Sequence, residues 1–495
     1  MSRNAGGGRN SDRAGKKGHT TEKGRAVKDE REVVLLALLS HEKNDTFSNV
    51  LVRRTLDACA DLSAGERAFI KRLLEGVIER KTELDARIEK YTGRSVSRLH
   101  PAVHQVLRMG LYQILYMDAV PDSAACNESV RLAKKHGPAR LAGFVNGVLR
   151  NAARDAQKDA KNGEELLQGK ASVQYSMPDW LVDMWTDQLG AEETERLLKA
   201  MLQIRPVTIR LRSGLSAREC DAVRDGLRSA GVLVEEGRWL ENALRLRRTS
   251  DLRRLPGFAE GLWTVQDESS MLAVMAAGLR GTETVYDVCA APGGKSFYAA
   301  DLLRLGAEHR TASGTDSGTD PGINPGRQGI VYSFDLTRRK TDRIREGAKR
   351  MKLENLQVAE RDARTIRPGE EASADVLLCD LPCSGLGVMG KKRDIKYRAS
   401  REGILSLQAL QREILAASVQ CLRPGGTLLY STCTISREEN EDNAAWIVSE
   451  LGLKPVDLAP FLPEDLPGIR GNMLQLLPHV HGTDGFFIAR FQKAP

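Results

Sequence analysis

No stretch of this chain is apolar for long enough to cross a bilayer. The longest early run, Val33 to Leu39, stops far short of the roughly 20 residues a membrane helix needs. The opening residues also lack the basic head, apolar core and cleavage site of a secretory signal, so neither membrane nor export is expected. Cysteine is sparse. Eight in 495 residues make no disulfide scaffold, and Cys379 with Cys383 is the only close pair. No second Cys or His pair follows at zinc spacing, so no metal site is expected, and reduced thiols in a cytoplasm fit best. Excess charge is small as well: +8 net, against 74 basic and 66 acidic residues, leans towards a polyanionic partner without requiring one. What the chain does have is length, which exceeds one core and predicts two or three domains.

Residues Met1 to Ala26 are Gly, Ser, Asn, Lys and Arg with almost nothing to bury, which predicts a disordered basic tail. From Val27 to Ala160 apolar residues recur at three- and four-residue spacing. Phe69, Ile70, Leu73, Leu74 and Val77 follow a capping box at Ser63 and Glu66. Val103, Val106, Leu107, Leu111, Ile114 and Leu115 form a second apolar face that stops before Pro121, and a further helix is expected from Asn127. Strand-like alternation is absent, so this is an all-α domain. Asp155 to Lys170 reads as a charged linker. Beyond it the pattern is mixed: a helix opening at Pro178, strands at Val207–Leu211 and Val232–Val234, and a helix at Ser216–Ala230. That predicts a small α+β domain over 172–257, with no catalytic cluster in it.

Residues 258–495 alternate strand and helix. The apolar strands Val285–Val288, Ile330–Phe334, Val376–Cys379 and Gly426–Tyr430 predict a mostly parallel, Rossmann-like sheet with its ligand at the carboxyl ends of the strands. Residues 307–328 interrupt it as a flexible insertion rich in Gly, Ser, Thr, Asp and Pro. The first of these strands runs into Asp287-Val-Cys-Ala-Ala-Pro-Gly-Gly-Lys295, a turn that lets backbone approach a ligand closely. A phosphate loop would need glycine where Cys289 stands, so that reading fails. Asp335 lies 41 residues after Gly294, or 19 once the 22-residue insertion is set aside, where a ribose-binding carboxylate belongs. Two further turns leave neighbouring strands, Asp380-Leu-Pro-Cys-Ser-Gly385 and Ser431-Thr-Cys-Thr434, and present Asp380, Cys383 and Cys433. Asp362 follows Val358-Ala-Glu-Arg, where a carboxylate could meet a nucleobase amine.

Taken in order, these motifs resemble those of known families. Arg108-Met-Gly-Leu-Tyr-Gln-Ile-Leu-Tyr116, Asn127-Glu-Ser-Val130 and Phe144-Val-Asn-Gly-Val-Leu-Arg150 are similar to the NusB-type RNA-binding fold. From Val27 to the end the chain resembles RNA cytosine-C5 methyltransferases of the Sun (Fmu) family, bacterial RsmB type. The match is carried by the three turns together with Val265-Gln-Asp-Glu-Ser269, Asp394-Ile-Lys-Tyr-Arg398 and Asp484-Gly-Phe-Phe487. The resemblance implies S-adenosylmethionine as cofactor and 16S rRNA as partner, at the family's usual cytosine 967, with no obligate protein partner evident. It implies Cys433 as the nucleophile, Cys383 in product release, Asp380 on the cytosine, and Lys295 and Lys396 near the substrate. Cys289, Ala290, Ala291, Pro292, Gly293, Gly294, Lys295, Asp335, Asp362 and Asp380 would hold the cofactor. Departures are the insertion, the long tail and Lys396-Tyr397 where the family often has Lys-Trp. A tRNA substrate, or an RNA-binding assembly factor with an inert enzyme half, are the alternatives; an amino-methyltransferase would carry a Pro-Pro-aromatic turn after Asp380 in place of Leu-Pro-Cys.

Overall fold

The computed structural model describes residues 29–44, 46–162, 170–249, 251–313 and 328–495. The basic tail expected over 1–26 lies outside them. The first region is seven longer helices, Glu30–Lys43, Ser48–Ala58, Ala64–Glu79, Lys81–Thr92, Pro101–Tyr116, Asp122–His136 and Ala142–Asn162. Their apolar faces close on one core that holds Leu35, Ile70, Leu73, Leu107, Leu111 and Leu149. The expected capping box is present, with Ser63 and Glu66 each accepting from the other's backbone N–H. The sixth helix starts at Asp122, ahead of the Asn127 start expected, because Pro121 takes its N-cap position. Asp155–Asn162 extend the last helix and are not linker: their Ala, Gln and Lys are good helix formers, and charge alone does not stop a helix. The remainder of that expected linker, 163–169, lies outside the described residues.

The middle region splits in two. Its antiparallel sheet runs in the order Leu233–Glu236, Ala243–Arg247, Val207–Leu211, Trp263–Val265. Helix Ala217–Ser229 covers it through Val223 and Leu227. The last strand lies beyond 257, so the boundary expected there falls inside the sheet. Three residues are too few to show a strand period, and only the burial of Trp263 in this core marks them. Helices Asp179–Leu189 and Ala191–Met201 do not join this sheet. Leu181, Met184, Trp185, Leu197 and Leu198 pack instead with Leu386, Met389, Ile395, Ile404 and Ile435 of the last region.

That last region is a nine-stranded mixed sheet. Leu356–Glu360, Ile330–Asp335, Thr284–Asp287, Ala374–Asp380 and Leu422–Thr432 are parallel neighbours in that order. Phe486–Gln492, Met473–Leu476 and Ile469–Arg470 then extend the sheet antiparallel, and the ninth strand, Lys454–Pro455, pairs antiparallel with the end of Phe486–Gln492. Successive residues point to opposite faces, so Val285, Leu378, Leu429 and Ile488 join one core while Tyr286, Leu377, Leu428 and Phe487 join the other. Both faces are therefore covered, and ligand access is left to the strand ends. Helix Gly294–Ser313 carries 307–313 of the expected insertion; 314–327 lie outside the described residues.

Candidate active site

The turn after Thr284–Asp287 is tied to the next strand. The Ala290 N–H donates to Phe334 O at 2.8 Å, and the Ala291 N–H donates to Asp335 Oδ2 at 3.0 Å. The other Asp335 oxygen accepts from the Leu336 N–H and from Lys340. Gly293 has a φ of 110°, open to glycine and strained for other residues. Behind the turn Asp287 is fully buried. Its Oδ2 accepts from Ser296 at 2.6 Å, Oδ1 has no partner, and burial pushes the carboxyl up to about 7. Cys289 is also pushed up, by burial first and by the Asp335 charge second, so it is no thiolate candidate.

The chemistry-bearing groups meet one strand over. Lys295 Nζ donates to Asp380 Oδ2 at 2.7 Å and lies 4.8 Å from the Phe486 ring centre. Asp380 Oδ1 accepts from Ser431 Oγ at 3.0 Å. Cys383 and Cys433 stand with their sulfurs 3.3 Å apart, and both are free thiols. The hydrogen bond from Cys383 holds Cys433 below its ordinary value; burial and Asp380 oppose this, Lys392 and Lys295 assist it. The same bond and burial push Cys383 well up. One thiol is poised to lose its proton and its neighbour to keep one.

Backbone crossings fix these turns. The Gly387 N–H donates to Cys433 O at 3.0 Å, and the Gly485 N–H to Gly387 O at 2.9 Å. A side chain at Gly387 would collide with the Gly485 carbonyl. Lys391 joins Asp267 at 3.1 Å and Asp484 at 2.5 Å, so Val265–Ser269 and Asp484–Phe487 are fastened together beside the site. Burial notwithstanding, Lys391 keeps Asp267 down at about 2.

One expected residue is engaged with a neighbour and another stands apart. Asp362 leaves the neighbouring strand but its carboxylate is paired with Arg364 at 2.7 Å, which holds it at about 2. Lys396 does not reach the thiols. It is 2% exposed and faces Glu79, Arg80, Arg393 and Glu83 at the junction with the helical region. Its motif follows the Cys383 turn in sequence, yet docking of the first helices on this segment turns the lysine inward. Sequence reasoning missed Lys392, Phe486 and the buried Glu439 beneath both thiols; only the acidic run Glu438-Glu-Asn-Glu441 after the last motif hinted at the third. Among the described residues no cluster of His, Cys, Asp and Glu could hold a metal, and no helix is long and apolar enough to cross a membrane.

The model of the 16S rRNA methyltransferase RsmB/F family matches residues 324–492, which carry Asp335, Asp362, Asp380, Cys383 and Cys433. The NusB family matches 28–154, and the ferredoxin-like domain of RsmF/B-like methyltransferases matches 177–253. The chain is 34% identical to the probable ribosomal RNA small subunit methyltransferase B of Bacillus subtilis, over 94% of this chain and 98% of that protein. The chain belongs to the RsmB/F family of 16S rRNA methyltransferases. The Synechocystis relative of the same description is 32% identical over 94% of this chain and 99% of its own length. Among solved structures, PH0851 superposes with a TM-score of 0.72 at 23% identity, over 95% of this chain and 100% of that one. NSun6 from Pyrococcus horikoshii, solved with SFG, gives 0.52 at 21% identity over 64% of this chain and 98% of its own. These two speak for the fold. Membership in an RsmB/F family makes methyl transfer the reaction class, and the three matched segments reproduce the helical, middle and sheet regions in chain order.

Proposed function

We infer that this enzyme methylates C5 of a cytosine in 16S rRNA, with S-adenosylmethionine as donor and a transient bond from Cys433 to C6. The observation that carries the reading is the thiol pair at 3.3 Å on neighbouring strand ends, beside a Lys295–Asp380 pair that reaches back to the glycine turn. The donor fits the turn: Gly293 keeps the backbone open, Asp335 stands at the adjacent strand end, and the unpartnered, buried Asp287 Oδ1 leaves an acceptor to be satisfied. Cys289 to Lys295, Asp335, Asp362 and Asp380 are the residues to hold it. When bound, S-adenosylmethionine supplies an electrophilic sulfonium methyl.

C5 of cytosine is a weak nucleophile. Addition of the Cys433 thiolate to C6 forms a C–S bond and moves the C5–C6 electron pair onto C5, which can then take the methyl. A base removes the C5 proton, the pair re-forms the C5–C6 bond, and Cys433 leaves by elimination. Asp380, steadied by Lys295 and Ser431, faces the amino edge and N3 of the base; Cys383 serves release. Such chemistry needs the cytosine out of its stack, so an accessible RNA loop is the substrate. The test is the covalent adduct. With 16S rRNA transcript and S-adenosylmethionine, Cys433→Ala gives neither methylation nor adduct, while Cys383→Ala accumulates a protein–RNA band on a denaturing gel. An adduct with Cys433→Ala and none with Cys383→Ala reverses the two roles.

A further inference from the structure

Beneath the thiols lies a carboxylate that this mechanism does not use. Glu439 is fully buried. Its Oε1 accepts from the Ser384 N–H at 2.9 Å and from Gln411 Nε2 at 3.0 Å, and its Oε2 accepts from the Ser384 hydroxyl at 2.5 Å. Ser384 Oγ lies 2.7 Å from Thr434 Oγ1. Ser384 follows Cys383 and Thr434 follows Cys433, so one carboxylate braces the residue next to each thiol. Gln411 also donates to Pro382 O at 2.8 Å, on the other side of Cys383. Burial raises the Glu439 carboxyl above its ordinary value, and the hydrogen bonds from Ser384, Gln411 and Thr434 oppose that rise.

The two thiols differ in their charged neighbours. Cys383 is pushed up first by its bond to Cys433, then by burial, by the Cys433 charge, by Glu439 and by Asp380. Cys433 faces Cys383, Asp380, Lys392 and Lys295. Asp380 thus acts on both thiols, Glu439 on Cys383, and Lys392 and Lys295 on Cys433.

We propose that Glu439 is a positioning residue: through Ser384 and Thr434 it holds the two cysteine turns in register and makes Cys383 the proton donor to Cys433. This rests on Cys433 being the nucleophile. Glu439 touches no substrate; it acts through its neighbours.

The test compares full-length Glu439→Gln, Ser384→Ala and Cys433→Ala with the unmodified enzyme. Three readouts are taken: methyl transfer to 16S rRNA transcript, calorimetric binding of S-adenosylmethionine, and the pH profile of Cys433 alkylation by iodoacetamide. Glu439→Gln is expected to lower kcat on the order of 10²-fold, the scale of a misplaced reacting group. KM and cofactor affinity should stay within about twofold, because no ground-state contact is lost. The Cys433 profile moves to higher pH. Ser384→Ala moves kcat and the profile the same way by less, and decides the matter if Glu439→Gln does not fold. An unshifted profile in Glu439→Gln overturns the proposal, whether kcat is retained or falls together with melting temperature and cofactor binding. Transfer retained by Cys433→Ala overturns the nucleophile and the clamp together; retained transfer in Glu439→Gln beside a dead Cys433→Ala overturns the clamp alone.

Discussion

Lys295 and Lys396 carry the same side chain, both are nearly buried, and they sit in opposite circumstances. Lys295 has a carboxylate at contact distance, Asp380 at 2.7 Å, and the face of Phe486 beneath it. Lys396 has no ion pair or hydrogen bond at Nζ among the described residues, and burial lowers it to about 7 against the pull of Glu79. The cleft fixes its cation with a dedicated partner. The junction with the helical region leaves its cation near the point of losing the proton, and relies on other contacts. There Asp394 accepts from the Ser48 N–H at 3.0 Å and hydroxyl at 2.5 Å, Arg393 pairs with Glu79 and Glu75, and Arg398 donates to Thr46 O. Burial of a lysine does not by itself place it in this reaction site; Lys396 lies among Glu79, Arg80, Arg393 and Glu83 at the junction.

The largest effect that can break this contrast is expected at the first lysine. Lys295→Met removes the cation from Asp380 and from the neighbourhood of Cys433, and methyl transfer should fall by about 10² to 10³-fold. A single-turnover assay with 16S rRNA transcript checks it, and retained activity would place Lys295 with Lys396. Lys396→Met is next and acts on stability. A lysine with a folded value of about 7 and an unfolded value near 10.4 binds more protons unfolded between those limits, so the unmodified protein gains stability as pH rises across that window. The variant loses this slope. Its melting temperature should exceed that of the unmodified protein by about 2 to 4 °C at or below pH 7, and the gap should close towards pH 10. Scanning calorimetry across that range measures the difference, and a gap independent of pH would show that the lysine does not titrate there. The smallest effect belongs to Asp394→Asn, which weakens the Ser48 contacts and should cost about 1 kcal/mol in urea unfolding, with methyl transfer unchanged.

The contrast also shows what could be read from residues alone. The helical core, the parallel strands and all three turns were legible, because a 3.6-residue apolar period and short apolar runs ending in Gly or Pro are local signals. Pairings between distant segments were not. Phe486–Gln492 lies antiparallel to Leu422–Thr432, and no local pattern specifies that choice. In the site, the placement of Cys383 and Cys433 at adjoining strand ends was legible, whereas their contact depends on Gly387 crossing the Cys433 carbonyl. The family resemblance puts Lys396 near the substrate, whereas the Ser48–Asp394 bonds that seat this segment join residues 346 positions apart. Glu439 lay in an acidic run that reads like a helix start. Its role depends on Ser384, 55 positions away.

Trp185 buries its whole ring in the core shared by the helices before the middle sheet and the segments after the thiols, and its Nε1 donates to Ile435 O at 2.7 Å. Ile435 lies two residues beyond Cys433, and Leu386 and Met389 of the same core lie just beyond Cys383. The two active-site loops are therefore expected to unfold together with these two helices. Hydrogen exchange should then show the loops' amide protons protected to the same degree as those of Asp179–Leu189, as one subglobal unit.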